Sequence, residues 1–120
     1  MSRENIEEKR EWYDVETINE KAWYQILSNI QAGIKSELCP SCHVSFLRFF
    51  YWRHGGLEKR SGGGSWFWCS SCRQFMHFSG VVPDWWIRIE GVPYLRLTPI
   101  PDWLEAHWTE IEPQIVAMER

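Results

Sequence analysis

Cys39-Pro-Ser-Cys42 and Cys69-Ser-Ser-Cys72 are the two stretches that contain every cysteine of this 120-residue chain. In each pair, the two residues between the cysteines let the backbone turn so that both sulfurs face one point. Four thiolates are the ligand set of a closed, tetrahedral Zn²⁺ site with Zn–S distances of about 2.3 Å. The spacing therefore predicts one structural zinc ion bound by Cys39, Cys42, Cys69 and Cys72.

The residues between the two cysteine pairs and directly after the second pair predict an antiparallel sheet. Aromatic residues over 44–52 predict one strand, residues 66–68 a second and residues 73–79 a third, with the glycine-rich residues 53–65 as a mobile loop. The glycines at 62–64 do not predict a phosphate site, because a P-loop continues into Gly-Lys-Ser/Thr and a helix. Farther along, the sequence predicts either a hairpin over 87–90 and 94–97 or a short helix over 84–89.

A helix is predicted before the first cysteine pair. Apolar residues from Ile18 to Ile34 recur at helical spacing, which predicts a helix over 18–32. Thr17 and Glu20 fit a capping box, and Gly33 fits the position just past the helix end. Residues 2–12 are charged and predict a short, frayed helix.

A second helical segment is predicted near the C-terminus. Pro101 and Asp102 suit a helix start, and Pro113 is expected to kink or restart the helix. The predicted fold class is therefore α+β, with an antiparallel sheet of three or more strands packed with N-terminal and C-terminal helices. The length fits a single domain over 1–120, with segments at 1–35, 36–97 and 98–120.

The cysteine pairs have other interpretations. Residues 2–11 are charged and lack the apolar region of a signal peptide, so we expect a cytoplasmic protein, in which paired cysteines favour metal over disulfides. The sequence has no apolar run of 18 residues, so it predicts no membrane span. A redox-active pair would be expected near a βαβ pattern, which the sequence lacks. The remaining alternative is a metal site in which His43 or His77 replaces one of the cysteine ligands.

The predicted centre does not favour catalysis. Four cysteine ligands close the coordination sphere, whereas a catalytic zinc keeps an open position. A metal-bound thiolate is also not free to act as a nucleophile, and the acidic residues form no recognisable pair. We therefore predict no enzyme activity, and we expect Ser70 and Ser71 to donate hydrogen bonds to the cysteine sulfurs.

Charge is unevenly distributed along the chain, which carries −3 overall. Residues 36–97 have seven basic against four acidic side chains, residues 1–35 five against seven, and residues 98–120 one against five. Zinc bound by four thiolates is formally −2, which lowers the middle segment from +3 to about +1. The metal-bound protein is therefore acidic, and phosphate binding would need a concentrated basic face.

Protein binding is the first functional hypothesis. Nine tryptophans are more than a core of this size easily hides, and exposed tryptophans anchor interfaces. Acidic helices would complement an electropositive partner. The predicted contact residues are Trp85, Trp86, Trp103 and Trp108 with Asp102, Glu105, Glu110 and Glu112. A second acidic cluster offers Glu4, Glu7, Glu8 and Glu11 as another contact surface.

Nucleic-acid binding is the alternative hypothesis, and a structural subunit of a larger assembly is a third. Binding to nucleic acid would pair phosphate contacts with aromatic rings on which bases stack. The predicted phosphate contacts are Arg48, Arg53, Lys59 and Arg60. The predicted stacking platform is Trp52, Trp66 or Trp68.

The two cysteine pairs resemble the zinc-ribbon family over residues 38–79. A wider pattern is similar to small bacterial immunity proteins that neutralise polymorphic toxins. It comprises Gly63-Gly-Ser-Trp-Phe-Trp-Cys-Ser-Ser-Cys-Arg73, then His77, Ser79-Gly80, Pro83 and Trp85-Trp86. This resemblance implies a compact acidic protein that covers a cognate toxin domain, often a basic nuclease.

Overall fold

The computed structural model describes residues 12–54 and 62–118. Its elements, in chain order, are strand β1 (Tyr13–Asp14), helix α1 (Thr17–Gln31), strands β2 (Arg48–Arg53), β3 (Gly62–Trp68) and β4 (Gln74–Val81), a 3₁₀ helix (Tyr94–Arg96), and helices α2 (Asp102–Ala106) and α3 (Trp108–Met118). The predicted α+β class is confirmed. None of these helices is long and apolar enough to cross a membrane.

The four strands form one sheet in the order β1-β4-β3-β2. β3 pairs antiparallel with both β2 and β4, which confirms the three-stranded antiparallel arrangement. β1 instead pairs parallel with β4, with Tyr13 opposite Gln74, so the four-stranded sheet as a whole is mixed. The Tyr13 N–H donates to the carbonyl of Arg73 (2.8 Å), which holds this short strand at the start of β4.

Helix α1 confirms the predicted N-terminal helix. It buries Trp23, Ile26, Leu27 and Ile30 at helical spacing. The capping-box prediction is wrong, because the N-cap residue is Glu16 and no side chain caps this end. Gly33 has φ +93°, and its N–H donates to Ile30 (2.9 Å), as expected of the residue after a helix. The N-terminal helix predicted over 2–12 lies outside the described residues except for Trp12.

The two faces of the sheet are covered by different parts of the chain. Strand side chains alternate between faces, so Phe67 and Phe78 lie on one face and Trp66 and Trp68 on the other. On the first face, Phe78 contacts Tyr24 of α1, with ring centroids 6.2 Å apart. On the second, Trp68 meets Trp108 of α3 edge to face at 5.3 Å. The sheet therefore lies between α1 and the C-terminal helices.

The first half of β3 replaces part of the predicted loop. Residues 63–65 pair with both neighbouring strands and Gly62 pairs with β4, so the mobile-loop prediction is wrong for residues 62–65, and residues 55–61 lie outside the described range. Gly63 shows why a glycine is needed in this central strand. A Cβ at this position would lie 1.8 Å from the carbonyl oxygen of Trp52, so only glycine permits this approach of β2.

The segment after β4 adopts neither the hairpin over 87–90 and 94–97 nor the helix over 84–89. It lies along the outer edge of β2, where Trp86 contacts the rings of Phe49, Phe50 and Tyr51. The Arg53 side chain donates to the carbonyls of Pro83 (3.0 Å) and Trp86 (2.7 Å). Contacts with β2 thus replace the pairing of this segment with itself and cover an exposed edge strand.

The C-terminal helical segment begins as predicted, since α2 starts at Asp102. The break falls at His107 and Pro113 lies inside α3, so the prediction that the helix restarts at Pro113 is wrong. The His107 N–H donates to the carbonyl of Trp103 (3.1 Å), and its ring stacks on that tryptophan with centroids 3.8 Å apart. These two contacts hold the chain where α2 ends.

Candidate metal centre

The four cysteine sulfurs lie together, all within 4.8 Å of one another. The sulfurs of Cys39 and Cys72 are 3.8 Å apart, and those of Cys42 and Cys69 are 3.6 Å apart. The edge of a tetrahedron with Zn–S distances of about 2.3 Å is about 3.8 Å, whereas a disulfide bond is about 2.05 Å. All four cysteines are free thiols, and their sulfurs are positioned to bind a metal ion.

The same backbone turn presents both cysteine pairs. The N–H of His43 donates to the carbonyl of Cys39 (2.8 Å), and that of Arg73 donates to Cys69 (3.0 Å). His43 and Arg73 have φ values of 59° and 65°, the left-handed region that ordinarily favours glycine. Each pair is therefore closed by a residue in the same costly conformation, directly after its second cysteine.

Each sulfur accepts a hydrogen bond from the backbone of the residue two positions later. The N–H groups of Ser41 and Ser71 donate to Cys39 and Cys69, both at 3.3 Å. Val44 and Gln74 do the same for the two remaining sulfurs, Cys42 and Cys72. Such bonds stabilise thiolate ligands and fix their orientation.

The predicted serine donors are only partly found. Ser71 donates through its backbone, but its hydroxyl pairs with the hydroxyl of Ser45 instead of a sulfur. Within the described residues, no hydrogen bond from Ser70 to a sulfur is found, so that part of the prediction is wrong. Backbone geometry at the second position after each cysteine, rather than the serine hydroxyl, supplies the donors.

Burial opposes ionisation of the cysteines in the metal-free chain. It raises the pKa values of Cys69 and Cys72. Burial also opposes ionisation of Cys42, but hydrogen bonds with the Val44 backbone, the Cys69 side chain, the Ser45 backbone and the Cys39 side chain together outweigh it and lower the Cys42 pKa. A cation among the four sulfurs would compensate the burial of several thiolates, so metal binding and thiol deprotonation are coupled.

Hydrogen bonds tie the centre to the rest of the fold. The indole N–H of Trp23 in α1 donates to the hydroxyl of Ser41 (2.9 Å), which donates to the side chain of Gln74 in β4 (3.1 Å). Cys39 and Cys69 are fully buried. Neither His43 nor His77 belongs to the cysteine cluster, and the ring of His77 instead bonds to the carbonyl of Ser65 (3.0 Å).

The tryptophans predicted as partner contacts are core residues or partly covered. Trp86 and Trp108 are only 2% and 8% exposed, so the expectation that they project to a partner is wrong. Trp85 is partly buried and donates to the carbonyl of Gln31 (2.8 Å), while Trp103 stacks on His107. Aromatic packing uses most of these large rings, because the sheet needs cover on both faces.

The acidic residues predicted as partner contacts divide into two groups. Asp102, Glu110 and Glu112 are exposed on the C-terminal helices. Glu105 instead accepts from Arg48 at 2.9 and 3.0 Å and from the indole N–H of Trp68 at 2.8 Å, so it joins α2 to the sheet. The alternative cluster of Glu4, Glu7, Glu8 and Glu11 lies outside the described residues.

The residues predicted to contact nucleic acid have internal partners where the structure describes them. Arg48 pairs with Glu105, and Arg53 donates to backbone carbonyls, while Lys59 and Arg60 lie outside the described residues. Trp66 and Trp68 are buried, so their prediction as stacking platforms is wrong. Trp52 is partly buried and already stacks on Tyr94, with centroids 4.9 Å apart.

Sequence reasoning missed an apolar surface beside the first cysteine pair. Ile34, Leu38, Val44 and Phe46 are all exposed, and we call them the knuckle surface; Leu38 and Phe46 lie next to each other in an isolated bridge. The sequence placed Val44 and Phe46 in the strand predicted over 44–52, but β2 begins only at Arg48. The apolar residues that flank Cys39 and Cys42 in the sequence are the pattern that could have indicated this surface.

A scan against protein-family models and searches of curated proteins and of solved structures each found no match.

Proposed function

We propose that the cysteine cluster binds a single Zn²⁺ whose role is structural. Four cysteine sulfurs within 4.8 Å of one another favour zinc over the harder cations that prefer oxygen ligands. The ion would join the first cysteine pair, which precedes β2, to the second pair, which lies between β3 and β4. It would therefore fix two chain turns that the sheet itself does not pair, in the manner of a zinc ribbon.

We further propose that the protein acts by binding another protein rather than by catalysis. The observation that carries this proposal is the acidic C-terminal surface, which we define as Asp102, Glu110 and Glu112. All three carboxylates are exposed, and residues 98–118 contain no lysine or arginine. Val116 is exposed one turn after Glu112 and adds apolar area to that side of α3. Such a surface favours an electropositive partner.

The most specific form of the proposal is immunity to a cognate toxin. A toxin domain that acts on nucleic acid carries a basic surface, and an acidic protein that covers it would associate rapidly by electrostatic steering. The sequence resemblance to bacterial immunity proteins supports the same partner class. A toxin gene next to the gene for this protein would be direct support.

Nucleic-acid binding by the protein itself is the weaker candidate. Two of its four proposed basic contacts have internal partners, and two of its three proposed stacking rings are buried. A titration with single-stranded and duplex nucleic acid at physiological salt separates the two functions. Tight, strongly salt-dependent binding that is lost on replacing Lys59 and Arg60 by alanine would support nucleic-acid binding instead.

Affinity capture with the intact, metal-loaded protein tests the protein-binding proposal. The informative variant carries Asp102→Lys and Glu110→Lys. The matched control carries Glu20→Lys and Asp84→Lys, which reverse the same number of charges outside the acidic C-terminal surface. We expect the wild type and the control to capture a basic protein that the informative variant loses, with slower and less salt-dependent association. Equal capture by all three proteins would contradict the proposed interface.

A further inference from the structure

The knuckle surface consists of a ridge with a groove on each side. Phe46 is 60% exposed and forms an isolated bridge with Leu38, which is 41% exposed. A groove of about 570 Å³ lies on the side of α1, where Ala22 and Ile26 line it. A second groove of about 500 Å³ lies on the side of α3, where Val116 lines it, and Phe46 lines both. Each groove has room for an aromatic side chain.

A ridge beside a groove is complementary to a copy of itself. In a two-fold dimer the same patch is used by both chains, so the ridge of one chain enters a groove of the other and the reverse contact follows by symmetry. Phe46 supplies the ridge, and the apolar residues of α1 or α3 supply the groove. The largest exposed ring of the knuckle surface would then be covered without any other protein.

The charges around the knuckle surface are mixed, and Glu112 of the acidic C-terminal surface is one of them. Lys35 and Glu112 line the groove on the α3 side, and Glu37 lines the groove on the α1 side. Within the described residues, Lys35 forms no ion pair; the salt bridge found there joins Arg48 to Glu105. A rim with both signs can pair with its own copy, whereas a surface of one sign repels its copy.

We infer that the knuckle surface binds a second copy of this chain, with Phe46 of each protomer in a groove of its partner. The first cysteine pair fixes this surface. The N–H of Cys39 donates to the carbonyl of Ser45 (2.8 Å), and that of Leu47 donates to the carbonyl of Glu37 (3.0 Å), so the ridge is held by the turn that carries two of the metal ligands. Dimer formation therefore depends on the metal centre.

Sedimentation velocity of the full, metal-loaded chain tests the inference, over about 1 to 100 μM because weak self-association has micromolar Kd values. We expect a concentration-dependent dimer in the wild type and a monomer throughout for Phe46→Ser. The matched control is Leu95→Ser, which removes a side chain that is 93% exposed and lies outside the knuckle surface. It should dimerise like the wild type. Unchanged metal content and thermal midpoint would show that Phe46→Ser still folds.

Charge provides a second readout of the same interface. Lys35→Glu replaces the lysine of the rim with a carboxylate beside Glu112, so we expect it to weaken the dimer by about tenfold or more at low salt and less at high salt. A wild type that stays monomeric throughout, or a Phe46→Ser variant as dimeric as the wild type, would overturn the inference. So would a monomeric wild type whose capture of another protein is lost on Phe46→Ser. Capture through Asp102 and Glu110 is measured separately, so the two proposals can fail independently.

Discussion

Some individual residues lower the stability of this small fold. Tyr51 and Arg53 lie on the same side of β2, and the Tyr51 hydroxyl and the Arg53 Nε are buried without a hydrogen-bond partner among the described residues. His43 and Arg73 take left-handed backbone conformations that the turns around the metal ligands require. A buried polar atom without a partner and a non-glycine residue in the left-handed backbone region both cost free energy. Substitutions at these positions should therefore change the free energy of unfolding.

Tyr51→Phe should stabilise the protein. The change removes a hydroxyl without a partner and keeps the ring that packs against Trp86 and Phe67. We expect the free energy of unfolding at neutral pH to rise by about 1 kcal/mol, measured by chemical denaturation of the metal-loaded protein. A loss of stability would show that the hydroxyl has a partner.

The same substitution should change the response to alkaline pH. Burial raises the pKa of Tyr51 in the folded state, whereas an unfolded tyrosine ionises near pH 10. Above about pH 10 the unfolded state therefore loses a proton that the folded state keeps, so stability falls as pH rises, by up to about 1.4 kcal/mol per pH unit. Tyr51→Phe should remove that part of the decline, and identical pH profiles would contradict the assignment.

His43→Gly should also be stabilising. A non-glycine residue in the left-handed region costs about 1–2 kcal/mol, and the extra entropy of unfolded glycine returns about 0.5–1 kcal/mol of that. We expect a net gain of about 0.5–1 kcal/mol in the free energy of unfolding, with unchanged metal content. Arg73→Gly is the comparison and should gain less, because the Arg73 guanidinium lies 4.7 Å from the ring centroid of Trp12. Destabilisation by His43→Gly would contradict this account of the turn.

At the scale of elements, local patterns predicted the parts of the chain that have local causes. The cysteine spacing, the helical stripe of α1 and the start of α2 at Asp102 needed no distant contact. The hairpin predicted over 87–97 failed because Trp86 and Arg53 attach that segment to β2. Exposure of individual tryptophans also could not be read from the sequence, because it depends on which element covers each face of the sheet.

Gly63→Ala should break the pairing of β2 and β3. The added methyl group would lie 1.8 Å from the carbonyl oxygen of Trp52, which is backbone and cannot rotate away. We expect a loss of more than about 3 kcal/mol in the free energy of unfolding. Gly80→Ala is the matched control in the neighbouring strand, since its Cβ would meet nothing within 4 Å, and it should be neutral or stabilising. Equal effects of the two changes would refute the close approach.

Glu105→Ala tests the attachment of α2 to the sheet. It removes the partner of both Arg48 and the Trp68 indole N–H, leaving the indole donor unsatisfied in the core. Because the ion pair is only partly buried, we expect a loss of about 1–3 kcal/mol by chemical denaturation. Glu110→Ala, at an exposed position of α3, should change stability by less than about 0.5 kcal/mol. A Glu105→Ala protein as stable as Glu110→Ala would mean that this contact does not hold the helix.

For the whole molecule, the cysteine cluster connects parts that are distant in the chain. It brings the turn before β2 together with the turn between β3 and β4, and through Trp23 and Ser41 it is linked to α1. The two outward surfaces depend on this arrangement differently. The knuckle surface belongs to the first turn itself, whereas the acidic C-terminal surface is attached through Glu105 and the aromatic contacts of Trp68.

Thermal unfolding during titration with a zinc chelator, on protein of measured metal content, tests the central claim most directly. We expect one zinc per chain and a thermal unfolding midpoint that falls steeply as the ion is removed, because metal binding contributes to folding. Lower pH should ease removal, since protons compete for the thiolates. Intact cooperative folding at an unchanged midpoint, in protein without bound metal, would contradict the claim that the four cysteines organise this fold around an ion.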